Sequence, residues 1–273
     1  MRFLKKAGLH VFIISLLFAG NVFAYTSVAS WNGIGDGWSC VSRTASGAFP
    51  ETHYHIVTDS SSPDPSSALR ITYPNGWPDA REPAHCSKGL SSQYEDIYVQ
   101  YYFKYSPGYQ FHGTDNKQTY YWLGAASSNW YLSVRGSQKI SLVTQTYNTS
   151  RYNSNTGHDP VINPGTWYKI TARFKMNTPG VLNGICQVWI NDVLVMNHTN
   201  IGYRSSSQSG MGMSQATITP VFGGSSGIYK TQTDYQWYDK FIITTDPSTL
   251  SVESNNSPGS SAEPNPPTII SVN

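Results

Sequence analysis

The sequence predicts an all-β protein, a two-sheet antiparallel β-sandwich of the jelly-roll kind. Three observations carry this. Between Tyr25 and Thr245 the apolar residues show almost no helical period. Many short runs alternate apolar and polar residues with period two instead. Turn signals separate those runs, and antiparallel strands of this number bury their apolar faces by stacking two sheets.

The predicted strands, in order, are Ala68 to Tyr73, Ile97 to Tyr105, Thr119 to Leu123, Trp130 to Val134, Lys139 to Thr146, Trp167 to Met176, Ile185 to Ile190, Val193 to His198 and Tyr235 to Ile243. Between them stand Pro74-Asn75-Gly76, Ser106-Pro107-Gly108, Asn163-Pro164-Gly165, Thr178-Pro179-Gly180 and Asn191-Asp192. Pro presets one turn dihedral, and Gly or Asn accepts the left-handed one. Asn191-Asp192 sits between two apolar runs and predicts a tight hairpin.

The two ends differ from this middle. Residues 1–24 read as a signal peptide: Arg2, Lys5 and Lys6 form a basic start, Ala7 to Ala19 an apolar run, and Val22-Phe23-Ala24 a small-residue cleavage site. That run is short for a membrane span. The expectation is export, to the periplasm or outside the cell, with no membrane span after signal removal. Residues 25–247 form the sandwich domain. Residues 248–273 are rich in Ser, Pro and Asn and read as a disordered tail or linker.

Only 12% of the 273 residues are charged, about half the usual share. Setting aside Arg2, Lys5 and Lys6 leaves 15 basic against 16 acidic residues. A near-neutral chain lacks the electrostatic footprint of a nucleic-acid binder. Tyr is abundant at 19 residues, and Trp at 8, while four of the 10 Phe fall in the leader. Tyr and Trp pair an apolar face with a polar tip, which suits a groove for sugar rings. Tyr is also a good strand residue, so composition leaves both uses open.

Cys40, Cys86 and Cys186 allow one internal bridge. Cys40 and Cys86 lie in Gly-, Ser- and Pro-rich sequence that reads as loop and are paired here. Such a loop closure is worth about 4 kcal/mol. Cys186 shares a strand face with Val188 and Ile190 and reads as a buried free thiol.

Three segments together resemble a known family. They are Glu95 to Tyr109 (EDIYVQYYFKYSPGY), Gly165 to Asp192 with its NTPG and QVWIND stretches, and Val221 to Gly224 followed by Asp234 to Ile243. They are similar to the concanavalin A-like lectin/glucanase sandwiches, and nearest to the polysaccharide lyase family fourteen-like branch. The resemblance spans roughly Leu69 to Thr244 and implies the same jelly roll. It implies an active-site Lys after the SPG strand, matched by Lys117, though the family's Leu-Pro-Gly after it is missing. It also implies a Ser and an Arg on the next strand, matched by Ser133 and Arg135. Tyr131 shares their strand face.

A lyase of this kind removes the proton α to a uronate carboxylate and expels the 4-linked sugar. It needs a cation or an amide to neutralise the carboxylate, and a base and an acid, commonly Tyr, His or Lys. Lys117, Arg135 and Tyr131 are the candidates. Arg173, Gln187, Trp189 and Tyr147 are candidate substrate-binding residues on the groove wall. No cofactor or catalytic metal is called for. A structural calcium is compatible with the superfamily, although no Asp-rich loop supports it. His53 and His55 lack a nearby acidic or Cys partner and read as two His on an exposed strand face. Asp239 is expected to hold a neighbouring loop or an Arg.

Hydrolysis is disfavoured. Retaining glucanases on this fold carry paired carboxylates as E-x-D-x-x-E, and no such motif occurs. Glu95-Asp96, the adjacent acids, precede a strand at a turn. The expectation is a monomeric, exported protein acting on a polysaccharide, with lyase action on a uronate-containing polymer as the first reading. A non-catalytic, lectin-like carbohydrate-binding module is the alternative, and a structural surface module is a third class. A lyase needs converging Lys, Arg and Tyr, whereas a binding module needs only an aromatic platform.

Overall fold

The computed structural model describes residues 37–43, 51–65, 67–124, 128–145 and 147–250, with the backbone of Ala29–Ser30. The expected signal peptide, residues 1–24, and residues 251–273 of the expected tail lie outside the described residues, while residues 248–250 are described and begin in a short 3-10 turn. The strands are β1 (Ala29–Ser30), β2 (Ser39–Ser42), β3 (Tyr54–Val57), β4 (Ala68–Tyr73), β5 (Ala84–Tyr94), β6 (Asp96–Tyr105), β7 (Asp115–Leu123), β8 (Ser128–Arg135), β9 (Ile140–Gln145), β10 (Ser150–Asn153), β11 (Tyr168–Lys175), β12 (Gly184–Ile190), β13 (Val193–Ile201), β14 (Met213–Ile218) and β15 (Asp234–Thr244).

They form two antiparallel sheets. One runs β13-β12-β11-β6-β15-β4-β3, with β1 also paired to β15. The other runs β10-β9-β8-β7-β14-β5-β2. The all-β sandwich is as the sequence predicts. The Asn191-Asp192 hairpin forms with both residues at positive φ, 49° and 66°, the geometry whose twist matches paired strands.

Besides the short strands β1, β2, β3 and β10, the sequence reading misses β5 and β14. Both are rich in Ser, Gly, Gln and Thr, so their apolar alternation is faint. They form because each is paired on both sides within the sheet. Cys40 and Cys86 form a disulfide, but they stand opposite each other on β2 and β5 rather than in loops. Cys186 is a buried free thiol.

The facing sides of the sheets hold the core, and it is aromatic. Tyr73, Tyr101, Tyr105, Tyr121, Tyr203 and Tyr238 are fully buried, with Trp130, Phe103 and Phe174. Buried hydroxyls need partners. Tyr73 donates to the Pro220 carbonyl at 2.7 Å, Tyr101 to Gln118 Oε1 at 3.0 Å and Tyr203 to the Ile185 carbonyl at 3.0 Å. The Tyr surplus is therefore largely core, not groove.

Asp239 holds a loop, as expected. It accepts from the Ser62 hydroxyl and, at 2.7 Å, from the Asp64 amide. The two His do not share a face. His53 is buried edge-on against Trp77, and His55 is exposed. Among the described residues no group of three His, Cys, Asp or Glu is placed to hold a metal ion. Among them, no helix is long and apolar enough to cross a membrane.

Candidate active site

The outer face of the seven-stranded sheet collects the candidate catalytic residues. Side chains alternate along a strand, so Tyr131, Ser133 and Arg135 of β8 point outward while Leu132 and Val134 are buried in the core. Lys117 on β7 stands opposite Ser133, and Tyr120 opposite Tyr131. Lys117 and Tyr120 are three residues apart, a spacing that would normally oppose them. A bulge between Lys117 and Thr119 inserts Gln118 and flips the alternation. Gln118 turns inward to the core hydroxyls, and Lys117 joins Tyr120 outside.

The Lys117 Nζ lies 4.9 Å from the Tyr131 ring centre and 5.8 Å from that of Tyr120. No carboxylate among the described residues pairs with it. Burial pushes its pKa below the ordinary lysine value, against the opposing pull of Asp115 and Glu82. Burial and the Asp115 charge push the Tyr131 phenol up to about 12. It stays protonated at any working pH and can donate.

Beside them lies a polar network. Asp115 accepts from Ser133 Oγ at 3.0 Å and from both terminal nitrogens of Arg151, at 2.6 and 2.5 Å. Arg151 also donates to Ser141 Oγ at 3.0 Å. Burial opposes the Asp115 charge, but the Arg151 fork and the Ser133 hydroxyl outweigh it and hold the carboxyl below its usual range. Ser133 is wholly buried, and its proton is committed to Asp115. Among the described residues the Arg135 side chain reaches only Asn153 Oδ1, at 3.4 Å.

The base of β7 is fixed by close backbone contacts. A Cβ at Gly136 would sit 2.2 Å from the Gly113 carbonyl oxygen, so only glycine lets the β8–β9 turn pack there. The Gly136 amide donates to the Thr114 carbonyl at 3.2 Å, and the Gly223 amide to that of Asp115 at 2.8 Å. Across β14, His85 faces Thr219 Oγ1 at 3.0 Å. Burial and Arg43 lower its pKa.

The structure thus brings Lys117, Ser133, Arg135 and Tyr131 together. It does not bring Arg173, Gln187 and Trp189 to them. Those three project from β11 and β12, on the outer face of the other sheet. Arg173 there forms a fork with Asp96, at 2.9 and 2.7 Å, and meets Gln187 at 3.3 Å. Strand alternation told that they point outward, but not from which sheet. Tyr147 is half-buried in the β9–β10 turn, packed on Gly202 at the edge of the sandwich. Asp115, Tyr120, Arg151 and His85 were not singled out from sequence. Asp115 was legible as the i−2 neighbour of Lys117. Tyr120 was hidden by the bulge, and Arg151 by the weak pattern of β10.

Residues 119–241 match the family described as Polysaccharide lyase 14. No curated protein matches the sequence significantly. Several solved structures share the fold. The endo-β-1,4-glucuronan lyase of the fungus Trichoderma reesei superposes with a TM-score of 0.57 at 13% identity, over 81% of this chain and 96% of that one. The PL-14 alginate lyase of Aplysia kurodai gives 0.54 at 17% identity, over 71% and 87%. The alginate lyase of a Chlorella virus gives 0.54 at 14%, over 71% and 89%. The chain is a two-sheet jelly-roll sandwich whose residues 119–241 match the sequence pattern of polysaccharide lyase 14.

Proposed function

We propose that the protein is an exported lyase that cleaves a uronate-containing polysaccharide by β-elimination in the groove over β7 and β8. The observation that carries this is a lysine with no carboxylate partner among the described residues, seated on a protonated tyrosine and beside Ser133 and Arg135. The relatives named above, lyases of glucuronan and alginate, support the substrate class. Residues 1–24 support export.

Each group takes the role its chemistry suits. Arg135 pairs with the uronate carboxylate through its planar guanidinium fork and stabilises the enolate-like intermediate. Lys117, its amine made easier to deprotonate by burial, takes the proton from C5. The C5–H electron pair becomes the C4–C5 double bond as the C4–O4 bond breaks. Tyr131 gives its proton to the leaving O4. Ser133, wholly buried opposite Lys117, donates its proton to Asp115 and holds that carboxylate in place.

The test is the ultraviolet absorbance of the unsaturated uronate product, followed over a panel of uronate polymers. Wild type should generate the signal, and Lys117→Ala and Arg135→Ala should lose it. Binding without product in wild type would overturn the lyase reading and favour a carbohydrate-binding module, for which Tyr120, Trp122 and Tyr131 would suffice as a platform.

A further inference from the structure

The outer face of the seven-stranded sheet is electrically lopsided. At one end stand Asp115, Lys117, Arg135, Arg151 and His85. At the other end the sheet is built from Gly89–Tyr94 of β5, Met213–Ile218 of β14, Thr119–Leu123 of β7, Ser128–Leu132 of β8 and Ser141–Gln145 of β9. Those segments contain no Asp, Glu, Lys, Arg or His. Residues 124–127, which join β7 to β8, are Gly-Ala-Ala-Ser.

What that end offers instead is one aromatic ring and a row of amides. Trp122 stands opposite Asn129 on one side and Gln215 on the other, and Asn129 stands opposite Gln145. Trp122 is half-buried and continues the Tyr120 ring, with centres 6.2 Å apart and planes within 18°. It packs on the outer-face cluster of Tyr120, Tyr131, Val143 and Val221. Among the described residues, Trp122 Nε1 and Asn129 Oδ1 are buried with no hydrogen-bond partner. One is a donor and the other an acceptor, and unsatisfied groups of this kind are uncommon in a folded protein.

From Ser133 to Asn129 is four residues of β8, about 13 Å along the strand. A polymer that seats a uronate at Lys117 and runs on along β7 and β8 therefore lays a later ring over Trp122. A neutral sugar ring stacks its C–H face there and offers hydroxyls to the amide row. A carboxylate in the same place loses water and finds no cation.

We infer that Trp122, with Asn129, Gln145 and Gln215, forms a subsite for an uncharged sugar ring. The preferred substrate is then a mixed polymer in which neutral rings accompany uronates, not a polyuronate. This rests on the groove being the substrate site proposed above.

The experiment measures affinity of the full chain carrying Lys117→Ala, which prevents turnover. Two probes are titrated: polyglucuronate, and a polymer alternating glucuronate with glucose. The mixed polymer should bind roughly five- to tenfold more tightly, the scale of one stacked ring. Adding Trp122→Ala should erase that preference with polyglucuronate binding little changed, and Trp122→Phe should keep most of it. Adding Asn129→Arg, which places a cation at the neutral end, should shift the preference toward polyglucuronate. Equal binding of both polymers, or a preference that survives Trp122→Ala, overturns the subsite alone. Binding of neither polymer by a chain with an unaltered thermal melt overturns the groove reading and the subsite with it.

Discussion

The two outer faces of the sandwich both carry cations and aromatic rings, yet three cations of one face are tied to carboxylates; Arg70, 5.1 Å from the Tyr235 ring centre, is an exception there. On the eight-stranded sheet, Lys104 pairs with Asp59 at 2.5 Å, Lys169 with Asp192 at 2.6 Å and Arg173 with Asp96 at 2.7 Å. Lys104 also sits between the rings of Trp167 and Trp237. On the seven-stranded sheet, Asp115 closes off Arg151, while Lys117 and Arg135 have no carboxylate partner among the described residues. The lesson is that a cation's partner, not its exposure, decides whether it is available to substrate. A paired cation must break a charge-assisted hydrogen bond before it can meet a uronate. An unpaired one needs no such exchange.

That contrast can be sharpened in steps. The largest expected effect is on stability. Among the described residues only the groove sheet carries a disulfide, and it ties edge strand β2 to β5 across 46 residues. Replacing both cysteines by serine should cost about 4 kcal/mol, read from denaturant melts. A loss below about 1 kcal/mol would show that the strand pairing alone secures that edge.

Next comes Tyr131→Phe. It removes the proposed acid but keeps the ring under Lys117. It should lower kcat by about a hundredfold with KM nearly unchanged. An equal loss in binding would recast Tyr131 as a contact residue. The pH profile extends the same point. Burial lowers the Lys117 pKa, so kcat/KM should climb with pH through a value below that of ordinary lysine. A fall over that range would mean that Lys117 acts as the cation instead.

Asp115→Asn should be smaller, about 1–3 kcal/mol, because Arg151 is left half-buried without its partner. The folded pKa of Asp115 is depressed, so its contribution is present above the ordinary carboxylate pKa. It is lost as pH falls through the lowered value. The variant's stability should accordingly vary less with pH over that acid range, as thermal melts at several pH values would show. Smallest of all is Arg173→Ala on the opposite face. Its pair with Asp96 is part-exposed, so the change should stay within about 1 kcal/mol.

Much of the sandwich was legible because period two is a local signal. Ala68–Tyr73 is observed with the bounds predicted, and the Asn191-Asp192 turn needs only its own two residues to form. Three things were not local. β5 and β14 exist through their neighbours' hydrogen bonds, which their own side chains do not announce. The bulge at Gln118 reverses the facing of every later residue of β7, so Tyr120 and Trp122 join the groove against the simple count. Arg173, Gln187 and Trp189 obey the alternation perfectly and still face away, because alternation names a face of a strand and not a face of the molecule. The resemblance led to Lys117, Ser133 and Arg135, and the pairing of β7 with β8 is what sets them side by side.

The most direct measurement compares the two faces in one assay. Lys117→Ala and Arg173→Ala would be tested side by side for unsaturated uronate formation on the polymer that wild type cleaves fastest. Lys117→Ala should lose a hundredfold or more, on the order of 10² to 10⁴, while Arg173→Ala should stay within about twofold of wild type. The reverse pattern, with Lys117→Ala active and Arg173→Ala inactive, would contradict the account and move the reaction to the opposite face.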